Sequence, residues 1–152
     1  DLLDRGHALE RQTKYLTALS GRDGEQTGSE TLVIAVVGDG TVALMRFYPQ
    51  RLTVRSDQIV AFVNQDPMTP HTVTIGGDVH ELEAFAPRGV PEGYVPEQIV
   101  DYRGGLLNSG LLGYEAAWFG TTFRVRFPNP GTYPYMCALH YQLGMVGTIV
   151  VR

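Results

Sequence analysis

Cysteine is nearly missing from this sequence, which has one, Cys137, among 152 residues. A single thiol excludes an internal disulfide framework, a four-cysteine zinc ribbon and any site that needs two thiolates, such as a dinuclear copper–thiolate centre. Cys137 is therefore core filler, a free reactive thiol or a metal ligand.

Long apolar runs and an excess of positive charge are also missing. No stretch approaches the roughly 18 to 20 apolar residues that a membrane-spanning helix needs, and no signal-peptide pattern opens the chain. The formal net charge of −4 argues against a nucleic-acid partner. The negative charge is concentrated in residues 77–103, which hold six acidic and two basic residues.

What the sequence does contain favours an all-β fold. Eighteen glycines and nine prolines, together with many Val, Ile, Thr and Tyr residues, are typical of short strands joined by tight turns. The stretch "FRVRF" alternates strictly, so that Phe123, Val125 and Phe127 should share one face of a strand. Roughly seven strands of this kind predict a β-sandwich or Greek-key barrel. They are expected at residues 31–38, 41–49, 51–66 in two pieces, from 71, 121–128, from 131 and 145–152.

Two segments fall outside the strand pattern. Apolar residues at helical spacing predict an amphipathic helix over residues 1–20, and the polar, glycine-containing residues 21–30 read as a linker. The main domain is then expected at residues 31–152, after a separate unit of residues 1–30. Within that domain, the proline- and glycine-rich residues 76–120 predict a long insertion between core strands.

One short stretch, "YPYMCALHYQLGM", gathers three different metal-ligating side chains. Cys137 ends a strand-like run, and His140 and Met145 follow in the turn before the last strand. A second imidazole would complete the set of two His, one Cys and an axial Met that is typical of electron-transfer copper. The alternative is that Cys137 and Met145 are buried as apolar filler.

The second imidazole must be one of three remaining histidines. His71 is the best candidate, because "NQDPMTPHTVTI" places it after a proline-bounded turn and at the start of a strand. His7 lies in the predicted helix. His80 lies in the acidic insertion beside Glu81 and Glu83, where a second metal site is an alternative to an exposed loop.

Most of residues 42–152 resembles the cupredoxins. "FYPQRLTVRSDQIVAFVNQDPMTPHTV" is similar to the first half of such a domain, and "SGLL" followed by "FRVRFPNPGTYPYMCALHYQLGMVGTIVV" is similar to the second. The Cys-x2-His-x4-Met spacing resembles that of plastocyanins, pseudoazurins and halocyanins. The resemblance implies a cupredoxin fold and one type 1 copper, which acts in one-electron transfer without a bound substrate. Its ligands would be His71, Cys137, His140 and Met145.

Two departures from the family pattern bear on the surroundings of the copper. Leu139 stands where plastocyanin-like proteins usually have proline, so it keeps a backbone N–H that is expected to donate to the Cys137 thiolate alongside that of Thr72. Thr72 itself replaces a common asparagine, which leaves open what links the two copper loops. Asn64 is one candidate for that link, and a simple turn residue is the alternative.

We therefore expect an extracytoplasmic electron carrier that is not an enzyme. A c-type cytochrome or a respiratory or photosynthetic complex would be its partner, and a removed N-terminal segment would anchor it to a membrane. One alternative is a copper enzyme subunit resembling nitrite reductase, with extra copper at an oligomer interface built from His7 or His80. The other is a copper storage protein or chaperone.

Overall fold

The computed structural model describes residues 26–27, 30–38, 43–66, 68–77, 86–95, 98–113 and 120–152. The helix predicted over residues 1–20 lies outside these residues, as does most of the linker after it. No helix among the described residues is long and apolar enough to cross a membrane.

The described residues form an all-β fold, which confirms the predicted class. A single 3₁₀ helix, Tyr141–Leu143, accompanies the strands within this part of the chain. The strands are β1 (Gln26–Thr27), β2 (Glu30–Gly38), β3 (Ala43–Leu44), β4 (Arg51–Val54), β5 (Ile59–Gln65), β6 (Thr74–Ile75), β7 (Ile99–Asp101), β8 (Leu107–Asn108), β9 (Thr122–Arg126), β10 (Gly131–Met136) and β11 (Val146–Val151).

The strands are arranged in two mixed sheets. The first has the order β1-β2-β5-β9-β7, with β3 beside β2, and the second has the order β4-β11-β10-β6-β8. Strand β2 runs parallel to β5, and β4 runs parallel to β11, whereas β10 and β11 form an antiparallel hairpin. The described part of the expected insertion, residues 76–120, contributes an edge strand to each sheet, since β7 pairs with β9 and β8 pairs with β6.

Strands in which buried and exposed side chains alternate bury one face each, and these buried faces form the core between the two sheets. Phe123, Val125 and Phe127 are fully buried while the intervening arginines are partly exposed, as the alternation predicts. Strand β5 is buried along most of its length and lies inside the first sheet, between β2 and β9. In the second sheet, Tyr135 packs edge-on against the rings of Phe47 and Phe62, with ring centroids 4.7 and 5.1 Å away.

Candidate metal centre

The loop between β10 and β11, residues 137–145, is here called the C-terminal loop. Its backbone folds back on itself, because the N–H of Cys137 donates to Met145 O at 3.1 Å and the N–H of His140 donates to Cys137 O at 3.1 Å. Gly144 ends the 3₁₀ helix with a positive φ of 84°, a conformation that glycine adopts without strain. These bonds place Cys137, His140 and Met145 around one corner of the second sheet.

His71 reaches the same corner from the neighbouring strand. It lies just before β6, which pairs with β10 through Thr74 and Met136. Its backbone exchanges two hydrogen bonds with Leu112, of 3.1 and 2.7 Å. These two hydrogen bonds hold the main chain at His71 in place, and with it the imidazole.

The three nitrogen and sulfur atoms at this corner form a compact triangle. His71 Nδ1 and His140 Nδ1 are 3.1 Å apart, and the Cys137 Sγ lies 3.7 Å from the first and 3.5 Å from the second. The centre of such a triangle is about 2.0 Å from each atom, close to the length of metal–nitrogen bonds in protein sites. The donor set and its spacing therefore fit one copper ion.

The structure brings together His71, Cys137 and His140, and it places Met145 next to Cys137 through a backbone hydrogen bond. His71, Cys137 and Met145 are fully buried, whereas His140 is partly exposed. His7 and His80 lie outside the described residues. Within the described part of the chain, His71, Cys137 and His140 form one group of metal-ligating side chains.

Burial keeps the two imidazoles neutral. It lowers the pKa of His71 to about 3, helped by the neighbouring His140 and opposed by the charge of Asp66. Burial also lowers the pKa of His140. Each ring can therefore offer a nitrogen lone pair to a metal at neutral pH without first losing a proton.

Burial and hydrogen bonding change the pKa of the Cys137 thiol in opposite directions. Burial raises the pKa of the thiol, while backbone N–H groups of Thr72, Leu139 and His140 lower the pKa by stabilising the thiolate. The N–H of Thr72 lies 3.4 Å from the sulfur. Because burial is the larger influence, metal binding has to displace the thiol proton, and the N–H groups make that displacement easier.

Thr72 itself supplies the link between the two loops of the site. Its hydroxyl oxygen accepts the N–H of Ala138 at 2.7 Å, which ties the His71 segment to the C-terminal loop. Asn64 acts elsewhere, since its amide donates to Thr69 O at 3.0 Å and to Leu112 O at 2.8 Å. Asn64 therefore holds the segment that precedes His71 and the segment that pairs with it.

Other supporting residues were not expected from the sequence. Ser109 exchanges hydrogen bonds with the backbone of Val73, at 2.9 and 3.0 Å, and so holds the segment after His71. The buried carboxylate of Asp66 accepts the N–H groups of Met68 and Thr69, at 2.8 and 3.2 Å. An Asp-Pro pair is a turn signal that could have identified Asp66, whereas nothing local distinguishes Ser109.

Fold and site together define a class, the small β-sandwich proteins that hold one copper ion. The family model of copper binding proteins, plastocyanin/azurin family, matches residues 33–152, and the chain belongs to this family. The resemblance to cupredoxins is thereby confirmed.

Relatives from two organisms agree with this membership. A chloroplastic plastocyanin of Chlamydomonas reinhardtii is 30% identical over 135 residues, which are 85% of this chain and 78% of the relative. The copper-resistant cuproprotein CopI of Rubrivivax gelatinosus is 29% identical over 150 residues, which are 96% of this chain and 78% of the relative. A solved Cu(I) structure of a mutant amicyanin, 20% identical, has a TM-score of 0.52 over 84% of this chain and 87% of its own, which supports the fold alone.

Proposed function

We propose that this protein carries single electrons through a copper ion held by His71, Cys137, His140 and Met145. The observation that carries the proposal is the buried triangle of two imidazole nitrogens and one sulfur, with sides of 3.1 to 3.7 Å. When bound there, copper supplies a one-electron couple between Cu(I) and Cu(II). The relatives named plastocyanin support a carrier rather than an enzyme.

The protein's own part in this function is to hold the ligands still. His71 is held through Leu112, and the C-terminal loop is closed by the bond from the Cys137 N–H to Met145 O. Because the ligands keep their positions in both oxidation states, the reorganisation energy is small and electron exchange is fast.

We infer that electrons enter and leave at His140. This imidazole is partly exposed, whereas His71 is fully buried. Leu143, three residues along the same loop, is 68% exposed and offers an apolar surface beside it. Leu139, in contrast, packs against the core. A redox protein such as a c-type cytochrome, or a respiratory or photosynthetic complex, would dock here through a small interface.

We also propose an extracytoplasmic location, where copper is available to such a site. The chloroplastic relative supports a location in a separate compartment. The N-terminal helix that was predicted to lead to a membrane anchor lies outside the described part of the chain. Cell fractionation of the native protein, with and without washing at high salt, tests both the location and the predicted anchoring.

A role in copper resistance is the second candidate, because the similarity to CopI extends over 96% of this chain. The complete burial of His71, Cys137 and Met145 weighs against storage or delivery, since copper bound mainly by buried side chains is released slowly. Copper transfer to a chelator during repeated reduction and oxidation would favour this second role. Full retention of copper would favour the carrier.

The deciding experiment is spectroscopy of the copper-loaded protein. We expect an intense thiolate-to-Cu(II) band that disappears with ascorbate and returns with ferricyanide, at one copper per chain. Cys137→Ser should abolish the band, and the matched control His7→Ala/His80→Ala should keep it. A second copper that is lost in the control would instead favour the enzyme alternative, in which those histidines hold an additional metal.

A further inference from the structure

A line of buried polar side chains runs from the Cys137 sulfur into the second sheet. It consists of Thr72, Thr74 and Asn108, all essentially inaccessible to solvent. Thr74 lies on β6, and Asn108 lies on the neighbouring strand β8. Because each is buried, each of these hydroxyl and amide groups is expected to find its hydrogen-bond partners within the protein.

The directions of the hydrogen bonds beyond Thr72 are fixed from the far end of this line. A backbone carbonyl can only accept, so the bond of 3.0 Å between Asn108 Nδ2 and Ala86 O sets the orientation of the amide. The amide oxygen then faces Thr74 Oγ1 at 3.1 Å, and Thr74 must be the donor. With its own proton committed, Thr74 can only accept from Thr72 Oγ1, at 3.4 Å.

Thr72 therefore has one proton and two competing acceptors. Thr72 Oγ1 is within donating distance of both, at 3.9 Å from Cys137 Sγ and at 3.4 Å from Thr74 Oγ1. The N–H of Ala138 already donates to the Thr72 oxygen at 2.7 Å, so the oxygen cannot move far. The choice between the two acceptors is made by a rotation of the hydroxyl group alone.

We propose that Asn108, acting through Thr74, keeps the hydroxyl proton of Thr72 turned away from the Cys137 sulfur and thereby lowers the reduction potential of the copper. An additional donor to the sulfur would stabilise the electron-rich thiolate, weaken its donation to Cu(II) and favour Cu(I). Asn108 is thus a positioning residue in the segment expected to be an insertion, residues 76–120. This inference rests on the copper function proposed above.

The test is Thr74→Val, which removes the acceptor and leaves the sulfur as the remaining partner for the Thr72 hydroxyl. We expect Cu(I) to be favoured roughly three- to tenfold, as one extra hydrogen bond predicts, which is a positive shift of about 30 to 59 mV for one electron. The thiolate-to-Cu(II) band should move to higher energy. Thr74→Ser keeps the hydroxyl and should leave both readouts unchanged.

A double-mutant cycle separates this effect from a change in packing. In a Thr72→Val background the proton is gone, so Thr74→Val should no longer shift the potential. A shift that persists there, or a Thr74→Val potential equal to or below that of the wild type, overturns the proposal. Should Thr74→Val not fold, Thr74→Ala removes the same hydroxyl and must shift the potential in the same direction. If the wild-type protein showed no reversible thiolate-to-Cu(II) band, the proposed copper function itself would be refuted.

Discussion

The Cys137 sulfur is close to backbone donors that stabilise its negative charge, including the N–H groups of Thr72 and Leu139. In the copper protein, donors of this kind reduce how much charge the thiolate gives to Cu(II). Each one therefore raises the reduction potential. Because each N–H group contributes separately, a single substitution that removes one of them should change the reduction potential.

Leu139→Pro removes one of these donors, and we expect the reduction potential to fall. One net hydrogen bond corresponds to roughly 20 to 60 mV for a one-electron couple. Voltammetry of the copper protein measures the shift. Leu139→Ala is the control, because it keeps the N–H and should leave the potential near that of the wild type. A rise in the proline variant would mean that this N–H does not act on the sulfur.

A second prediction at the residue scale concerns Tyr135. Its hydroxyl is buried and has no hydrogen-bond partner among the described residues, while its ring packs on Phe47 and Phe62. Tyr135→Phe keeps the ring and removes the unsatisfied group, so the free energy of unfolding should rise by about 1 kcal/mol.

Denaturant unfolding of the copper-free protein measures this effect, with Tyr102→Phe as the matched control. The Tyr102 hydroxyl donates to Gly105 O at 2.8 Å, so its removal should lower the free energy of unfolding by about 1 kcal/mol. If both substitutions lowered the free energy of unfolding equally, the Tyr135 hydroxyl would not be destabilising.

At the scale of elements, the site depends on two loops that are braced differently. The C-terminal loop is closed by its own backbone, whereas the chain between β5 and His71 is held by the side chain of Asn64. Asn64 donates to Thr69 O and Leu112 O and accepts the N–H of Asp66 at 2.9 Å. One side chain thus joins the end of β5 to the segment that pairs with His71.

Asn64→Ala should therefore lower both stability and copper affinity. The loss of these bonds in a buried place corresponds to about 2 to 4 kcal/mol of unfolding free energy. Chemical unfolding of the copper-free protein and a copper competition titration measure the two effects. Asn129→Ala, at an exposed turn, is the control and should change stability by less than about 0.5 kcal/mol. Unchanged copper affinity in Asn64→Ala would show that His71 is positioned without this brace.

The elements also show where sequence reasoning succeeds. Strand β9 was predictable because the alternation of Phe123 and Val125 with arginines is local. The edge strands β7 and β8 were not, since they span three and two residues and form through pairing with distant strands. The grouping at Cys137, His140 and Met145 was visible because one loop carries it. The roles of Thr74 and Asn108 depend on strand pairing that no local pattern reveals.

At the scale of the whole molecule, the metal centre lies at the end of the second sheet where β10 ends. Cys137 follows the last residue of β10, and Arg126 and Asp101, the last residues of the parallel strands β9 and β7, pair with 3.5 Å between their charged atoms. Beside the partly exposed His140, Leu143 is 68% exposed. Leu143 therefore offers an apolar contact beside this imidazole to an approaching protein.

Leu143→Glu places a charge on this apolar approach without touching a ligand. Electron self-exchange between two copies should slow severalfold at low ionic strength, because the new carboxylates repel each other, and salt should restore part of the rate. The reduction potential should stay close to that of the wild type. NMR line broadening in mixtures of Cu(I) and Cu(II) protein measures the exchange rate, with Val95→Glu as the control because Val95 is 47% exposed in the loop before β7. If both variants slow exchange equally, net charge is responsible, and electrons do not leave the molecule beside Leu143.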